Sequence, residues 1–119
     1  MEDIRTLREK QKAFFETGQT KDPQYRVRQL KTLRKALVAY EDKIIDALME
    51  DFKKPPFETI TTEIGVTVEE IDYIVKHLKK WSKPKKVPTP LLHVFSKSYL
   101  YPEPYGVSLV LGTWNYPVQ

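Results

Sequence analysis

Apolar residues recur at helical spacing over the first two-thirds of the chain and change to alternation near residue 98. From Glu2 to Thr17, Ile4, Leu7, Phe14 and Phe15 stand among charged neighbours and predict one amphipathic helix, with Gly18 as its C-terminal stop. Asp22-Pro23 reads as an N-cap followed by proline at the first helical position, where a missing N–H leaves no hydrogen bond unmade. The stripe that follows is Tyr25, Leu30, Leu33, Leu37, Ile44, Ile45, Leu48 and Phe52. It runs to about Lys53 with a break expected near Tyr40-Glu41, because an unbroken helix of that length is uncommon. Pro55-Pro56 ends the run. Beyond it Ile60, Ile64, Val68, Ile71, Ile74, Val75, Leu78 and Trp81 mark another helix, with Glu and Lys mainly on the opposite face; such stripes are ordinarily core.

Lysine and proline then alternate quickly through Lys83-Pro84-Lys85-Lys86, Pro88 and Pro90, which predicts an extended, polyproline-like linker over 82–97. After it Ser98 and Leu100 alternate with Tyr99 and Tyr101, and Pro102 to Gly106 bends the chain into Val107-Ser108-Leu109-Val110-Leu111. Two strands are expected. The second is nearly all apolar and reads as a strand buried on both faces of a parallel sheet, although no crossover helix or parallel partner follows it before Gln119. The organisation is therefore a helical segment over 1–81, a linker over 82–97, and over 98–119 an incomplete set of strands.

Composition narrows the classes. With 119 residues, a chain of this size can bury roughly two-thirds of its unfolded surface. No apolar stretch approaches the length a bilayer requires, and Met1-Glu2-Asp3-Ile4 lacks the features of a signal peptide, so a cytoplasmic location without a membrane segment is expected. Twenty Lys and Arg against sixteen Asp and Glu leave a net charge of +4. Lys83 to Lys86 has no interleaved aromatic ladder and no nucleic-acid motif around it, so the excess reads as solvated surface and no nucleic-acid partner is expected. The chain has no cysteine, which excludes disulfides, thiolate metal sites and a cysteine nucleophile within it.

Most chemistry can also be set aside. His77 and His93 lie far apart without metal-ligand spacing, and no metal site is expected. Gly18, Gly65, Gly106 and Gly112 never reach a phosphate-cradling spacing, and Glu69-Glu70 point in different directions from one helix. The unusual segment is Tyr105 to Pro117, an apolar stretch running into Thr113-Trp114-Asn115-Tyr116-Pro117. Ligands of open α/β sheets collect at the carboxyl ends of strands, which is where this loop would sit. Asn115 is neutral and carries two N–H donors suited to an oxyanion; the simpler reading of its spacing is an asparagine closing a turn before proline.

The segment Pro104-Tyr105-Gly106-Val107 through Leu111-Gly112-Thr113-Trp114-Asn115-Tyr116-Pro117 resembles the one that opens the catalytic half of NAD(P)-dependent aldehyde dehydrogenases. Arg26-Val27-Arg28-Gln29-Leu30, and Glu69-Glu70-Ile71 with Trp81, resemble helices of the class 3, fatty aldehyde dehydrogenase-like branch. The resemblance implies a mainly α N-terminal portion whose strands join an α/β Rossmann-like sheet and an oligomerisation sheet. It implies an enzyme, usually homodimeric, that oxidises an aldehyde to a carboxylate with NAD or NADP through a cysteine thiohemiacetal. Asn115 would be the catalytic residue holding the thiohemiacetal oxygen, Thr113 and Trp114 would line the cofactor cleft, and Tyr116 would lie near the aldehyde. Val66 stands where some class 3 members carry an aromatic facing the substrate. The nucleophilic cysteine, the general base and the cofactor-phosphate loop of that family have no counterpart here. The fragment is accordingly expected to be inactive and to hold no cofactor tightly. A different reading of the same stripes is a freestanding helical module that self-associates without catalysis.

Overall fold

The computed structural model describes residues 3–119; the expected helix start at Glu2 lies outside the described residues. Helix α1 spans Ile4–Glu16 with Thr17 as its C-cap, and Gly18, whose φ is 76°, opens a short 3-10 turn, Gln19–Lys21. Helix α2, Pro23–Ala39, starts as its sequence dictates. The Asp22 carboxylate accepts from the Gln24 and Tyr25 amides at 2.9 and 3.0 Å, and Pro23 occupies the first helical position. The break near Tyr40 is present: α2 stops there and α3 runs Glu41–Phe52.

Lys53 ends α3 in the left-handed conformation (φ 60°), its amide donating to Met49 O at 3.1 Å. This sharp reversal carries the next residue, Lys54, inward. Pro55 and Pro56 behave differently from a simple stop, because Pro56 starts a new helix at once. Helix α4, Pro56–Thr59, passes without interruption into a π-helical turn, Ile60–Ile64, and then into α5, Gly65–Trp81. The apolar stripe from Ile60 to Trp81 is thus helical throughout, but one turn is widened.

Gly65 makes that turn possible. Its amide donates to Ile60 O in the i→i−5 pattern, and a Cβ built on Gly65 would stand 2.8 Å from the same carbonyl oxygen. The obstacle is backbone and cannot swing aside. Gly65→Ala is expected to destabilise the protein by about 1–3 kcal/mol, although alanine is the better helix former elsewhere. A urea midpoint at or above the wild-type value would show that the widened turn tolerates a methyl group.

Helix α2 packs on α5, with Ile71 and Leu78 of α5 buried in the seam. Arg34 Nε reaches both carboxylate oxygens of Asp72 across it, at 2.9 and 3.1 Å, and Arg26 donates to Ser82 Oγ at 3.1 Å. Leu48 of α3 and Ile64 complete the buried hydrophobic set among the described residues. The stripes read as core are therefore only partly covered: α1 buries none of its residues, and Leu33, Phe14 and Trp81 stay more than two-fifths exposed.

Lysine-rich Lys85–Val87 forms a strand, β1, paired antiparallel with β2, Ser98–Leu100, in the register Lys86↔Tyr99. The stretch is extended, as its composition suggests, but it finds a ladder partner where a free polyproline-like run was expected. Val107–Leu111, expected as a second buried strand, forms no strand. No described segment lies alongside it as a ladder partner, and Leu109, Val110 and Leu111 are each more than four-fifths exposed. A strand exists only by pairing, and periodicity carries no information about whether a partner is within reach.

Candidate functional site

Two side chains that sequence reasoning passed over lie at the centre of the molecule's polar interior. Lys54 and Glu63 are buried, at 4% and 0% exposure, and form a direct ion pair. Each arrives there by backbone geometry. Lys54 follows the left-handed turn at Lys53, and Glu63 sits on the π turn, with Thr59 one turn earlier equally buried. The last segment of the chain closes over both. Glu63 uses Oε1 for Lys54, while its Oε2 accepts the backbone amides of Val118 and Gln119 at 3.0 and 3.3 Å. Lys54 Nζ donates to the backbone carbonyl of Asn115 at 3.3 Å and stands 4.2 Å from the centroid of the Tyr116 ring, a cation–π contact.

Removing two charges from water is strongly unfavourable, and such a pair is tolerated only where geometry and further hydrogen bonds compensate both partners. Here both are compensated, and by the same loop. Residues 114–117 form a bend with no ladder of their own, so Lys54 and Glu63 supply the hydrogen bonds that a strand would otherwise provide.

Of the sequence-predicted residues, Thr113, Trp114 and Asn115 have exposed side chains, while Tyr116 turns its ring to Lys54. Asn115 is exposed, and its side-chain amide makes no hydrogen bond among the described residues; the contact to Lys54 uses its main-chain oxygen alone. Both N–H donors are thus free for an oxygen that develops negative charge. Trp114 is 90% exposed and Thr113 is exposed beside it, together offering one open wall of an indole and a hydroxyl. Tyr116 is brought against Lys54 and remains 39% exposed. Two clefts of about 460 and 540 Å³ lie elsewhere, one between the start of α2 and the end of α5 and one along α1, and neither includes residues 113–116.

His77 sits in an aromatic stack, 4.2 Å from the Tyr73 ring and 5.5 Å from that of Trp81, with Nδ1 2.7 Å from Tyr73 O. That accounts for it as a structural group. Among the described residues no group of three His, Cys, Asp or Glu side chains could hold a metal, and no helix is long and apolar enough to cross a membrane.

The model of the aldehyde dehydrogenase family matches residues 1–119. The chain is 48% identical over 108 residues to the 4,4'-diaponeurosporen-aldehyde dehydrogenase of Staphylococcus aureus, covering 91% of this chain and 24% of that protein. It is 32% identical over 117 residues to a dimeric NADP-preferring aldehyde dehydrogenase of Canis lupus familiaris, covering 98% and 26%. A solved structure described as the substrate-bound state of Staphylococcus aureus AldH superposes with a TM-score of 0.95 at 45% identity, over 100% of this chain and 26% of that one. The chain spans about a quarter of the length of these relatives.

Proposed function

The chain belongs to the aldehyde dehydrogenase family, and from that membership we propose that it is the N-terminal portion of an NAD(P)-dependent enzyme that oxidises aldehydes to carboxylates. The observation that carries the proposal is the Asn115 side chain, exposed and unpartnered on a bend whose backbone is pinned from beneath. In this reading a cysteine of the full-length protein attacks the aldehyde carbon, and Asn115 donates a hydrogen bond to the oxygen of the resulting thiohemiacetal. Placed before the reaction, such a donor needs no reorganisation as the charge develops.

NAD or NADP would supply the hydride acceptor. Thr113 and Trp114 fit one wall of its cleft by exposure and chemistry, but Gly18, Gly65, Gly106 and Gly112 form no phosphate cradle. The residues of this chain therefore cannot hold a dinucleotide alone, and the role of Thr113 and Trp114 is to shape and dry that wall. Tyr116, fixed against Lys54, would border the aldehyde. Residues 1–81, 82–97 and 98–119 serve here as helical scaffold, connecting arm and opening of the cofactor-binding region.

The class 3 branch, a homodimer and a cytoplasmic location are finer parts of the same proposal. Arg26 to Leu30 on α2, and Glu69-Glu70-Ile71 with Trp81 on the packed α5, support the branch. The test is aldehyde-dependent NAD(P)H formation by the full-length protein that carries these residues. Absence of turnover across short, medium and long aliphatic aldehydes with both cofactors would sink it.

A second reading, self-association of the 119-residue chain without catalysis, has its own observation. Leu91, Leu92, Phe95 and Leu109 to Leu111 leave a large apolar surface exposed. Sedimentation equilibrium of this chain is expected to report dimers or larger species at micromolar concentration, and a clean monomer would count against it.

A further inference from the structure

We propose that Lys54 and Glu63 are positioning residues for Asn115: the buried pair sets where the oxyanion donor stands and so tunes the chemical step without touching the substrate. The inference rests on the reading of Asn115 given above. Three features of the geometry carry it. First, the pair's hydrogen bonds to the loop all go to main chain, through the carbonyl of Asn115 itself and the amides of Val118 and Gln119, so they persist when the Asn115 side chain is changed. Second, the two anchors come from different places, the reversal after α3 and the π turn before α5, which fixes the loop at both ends of residues 115–119. Third, the Lys54 and Glu63 side chains are themselves buried and their contacts to the loop are part-buried, so the loop is held from its inner side by groups with little access to water.

Both charges have a second task beyond satisfying each other. The hydrogen bonds that compensate this pair reach far along the chain, and all of them end on the loop that carries Asn115. Here the second carboxylate oxygen is committed to residues 55 and 56 positions away, and the ammonium to one 61 positions away. The widened turn at Ile60–Ile64 is the local irregularity that carries Glu63 to that place, and such turns are frequent at functional sites. A displacement of about 1 Å in a group near the chemistry can lower a rate by about 100-fold, so a clamp of this kind offsets the cost of its burial.

The experiment uses the full-length protein with Lys54→Met/Glu63→Gln, which removes both charges together, nearly preserves volume and leaves an acceptor oxygen at position 63 for one amide. Folding is checked by thermal unfolding monitored by circular dichroism. The single-turnover rate of NAD(P)H formation is expected to fall by about 10- to 100-fold, with KM for the aldehyde changed less than about threefold. The decisive readout is the same double change in an Asn115→Ala background. There it should lower the rate by less than about twofold, since a positioning pair has nothing left to position. A folded double variant with the wild-type rate, or a rate loss fully additive with Asn115→Ala, overturns the proposal and assigns the pair to structure alone. If Asn115→Ala itself turns over normally, the role given to Asn115 fails, and the proposal falls with it through a separate and recognisable result. Should the double variant not fold, hydrogen exchange in the wild-type protein decides. The Val118 and Gln119 amides are then expected to exchange about a thousandfold more slowly than open loop amides, and exchange at open-loop rates overturns the clamp.

Discussion

Replacing Asn115 by alanine in the full-length protein is expected to lower kcat for aldehyde oxidation by about 10²–10³-fold, the usual loss when one oxyanion donor is removed. The structure makes this a clean substitution. Lys54 holds Asn115 by its main-chain oxygen, which alanine retains, and the side chain is exposed with no partner among the described residues. Stability should therefore stay within about 0.5 kcal/mol of wild type, as for other surface changes. Asn115→Asp sharpens the comparison. It keeps shape and size but offers acceptors where donors are needed, and its charge opposes the developing oxyanion, so its activity should fall at least as far. Steady-state kinetics of the two variants beside their unfolding curves separates the roles. Wild-type kcat in Asn115→Ala would return the residue to the simpler role of closing a turn before Pro117.

Glu63→Ala should have the largest effect on stability, about 3–5 kcal/mol, because it leaves Lys54 buried without its counter-charge. Two backbone amides also lose their acceptor, those of Val118 and Gln119. Lys54→Ala should also destabilise, for it leaves the buried Glu63 carboxylate without its counter-charge, although Oε2 keeps the amides of Val118 and Gln119. Removing both charges together in Lys54→Met/Glu63→Gln should be milder than either single change, since no unpaired charge is left buried and the side-chain oxygen kept at position 63 can still accept from the loop amides. Urea unfolding of the three variants reads this directly. The idea of a mutually dependent pair fails if either single variant unfolds at the wild-type midpoint, or if the double variant is as damaged as the singles.

Much of the local structure was legible because it depends on near neighbours. Asp22-Pro23 specifies a helix start through its own carboxylate and ring, and Gly18 specifies a stop through the φ its missing side chain allows. The break at Tyr40 followed from length. The π turn was not legible, although Gly65 inside an otherwise continuous helical stripe was its signal: glycine there admits the Ile60 carbonyl at a distance no Cβ could occupy. Lys54 and Glu63 were missed for a related reason. In sequence each looks like one more charge beside a helix, and their burial arises from a left-handed turn in one case and a widened turn in the other.

The loop itself divides along the same line. The chain's own order of residues determined that Thr113-Trp114-Asn115-Tyr116-Pro117 is a non-helical, aromatic-flanked loop with one neutral double donor, and its family could be read from those residues. Periodicity and spacing also determined the helices, since a helix closes its hydrogen bonds within about four or five residues. Tertiary structure alone decided what depends on contacts between distant positions. Within these 119 residues it gave Val107–Leu111 no ladder partner, gave β1 to a lysine-rich arm, and set a buried Lys54–Glu63 pair beneath Asn115, more than fifty residues away along the chain. Those contacts are made by through-space electrostatics and ladder pairing, for which separation along the sequence is no guide.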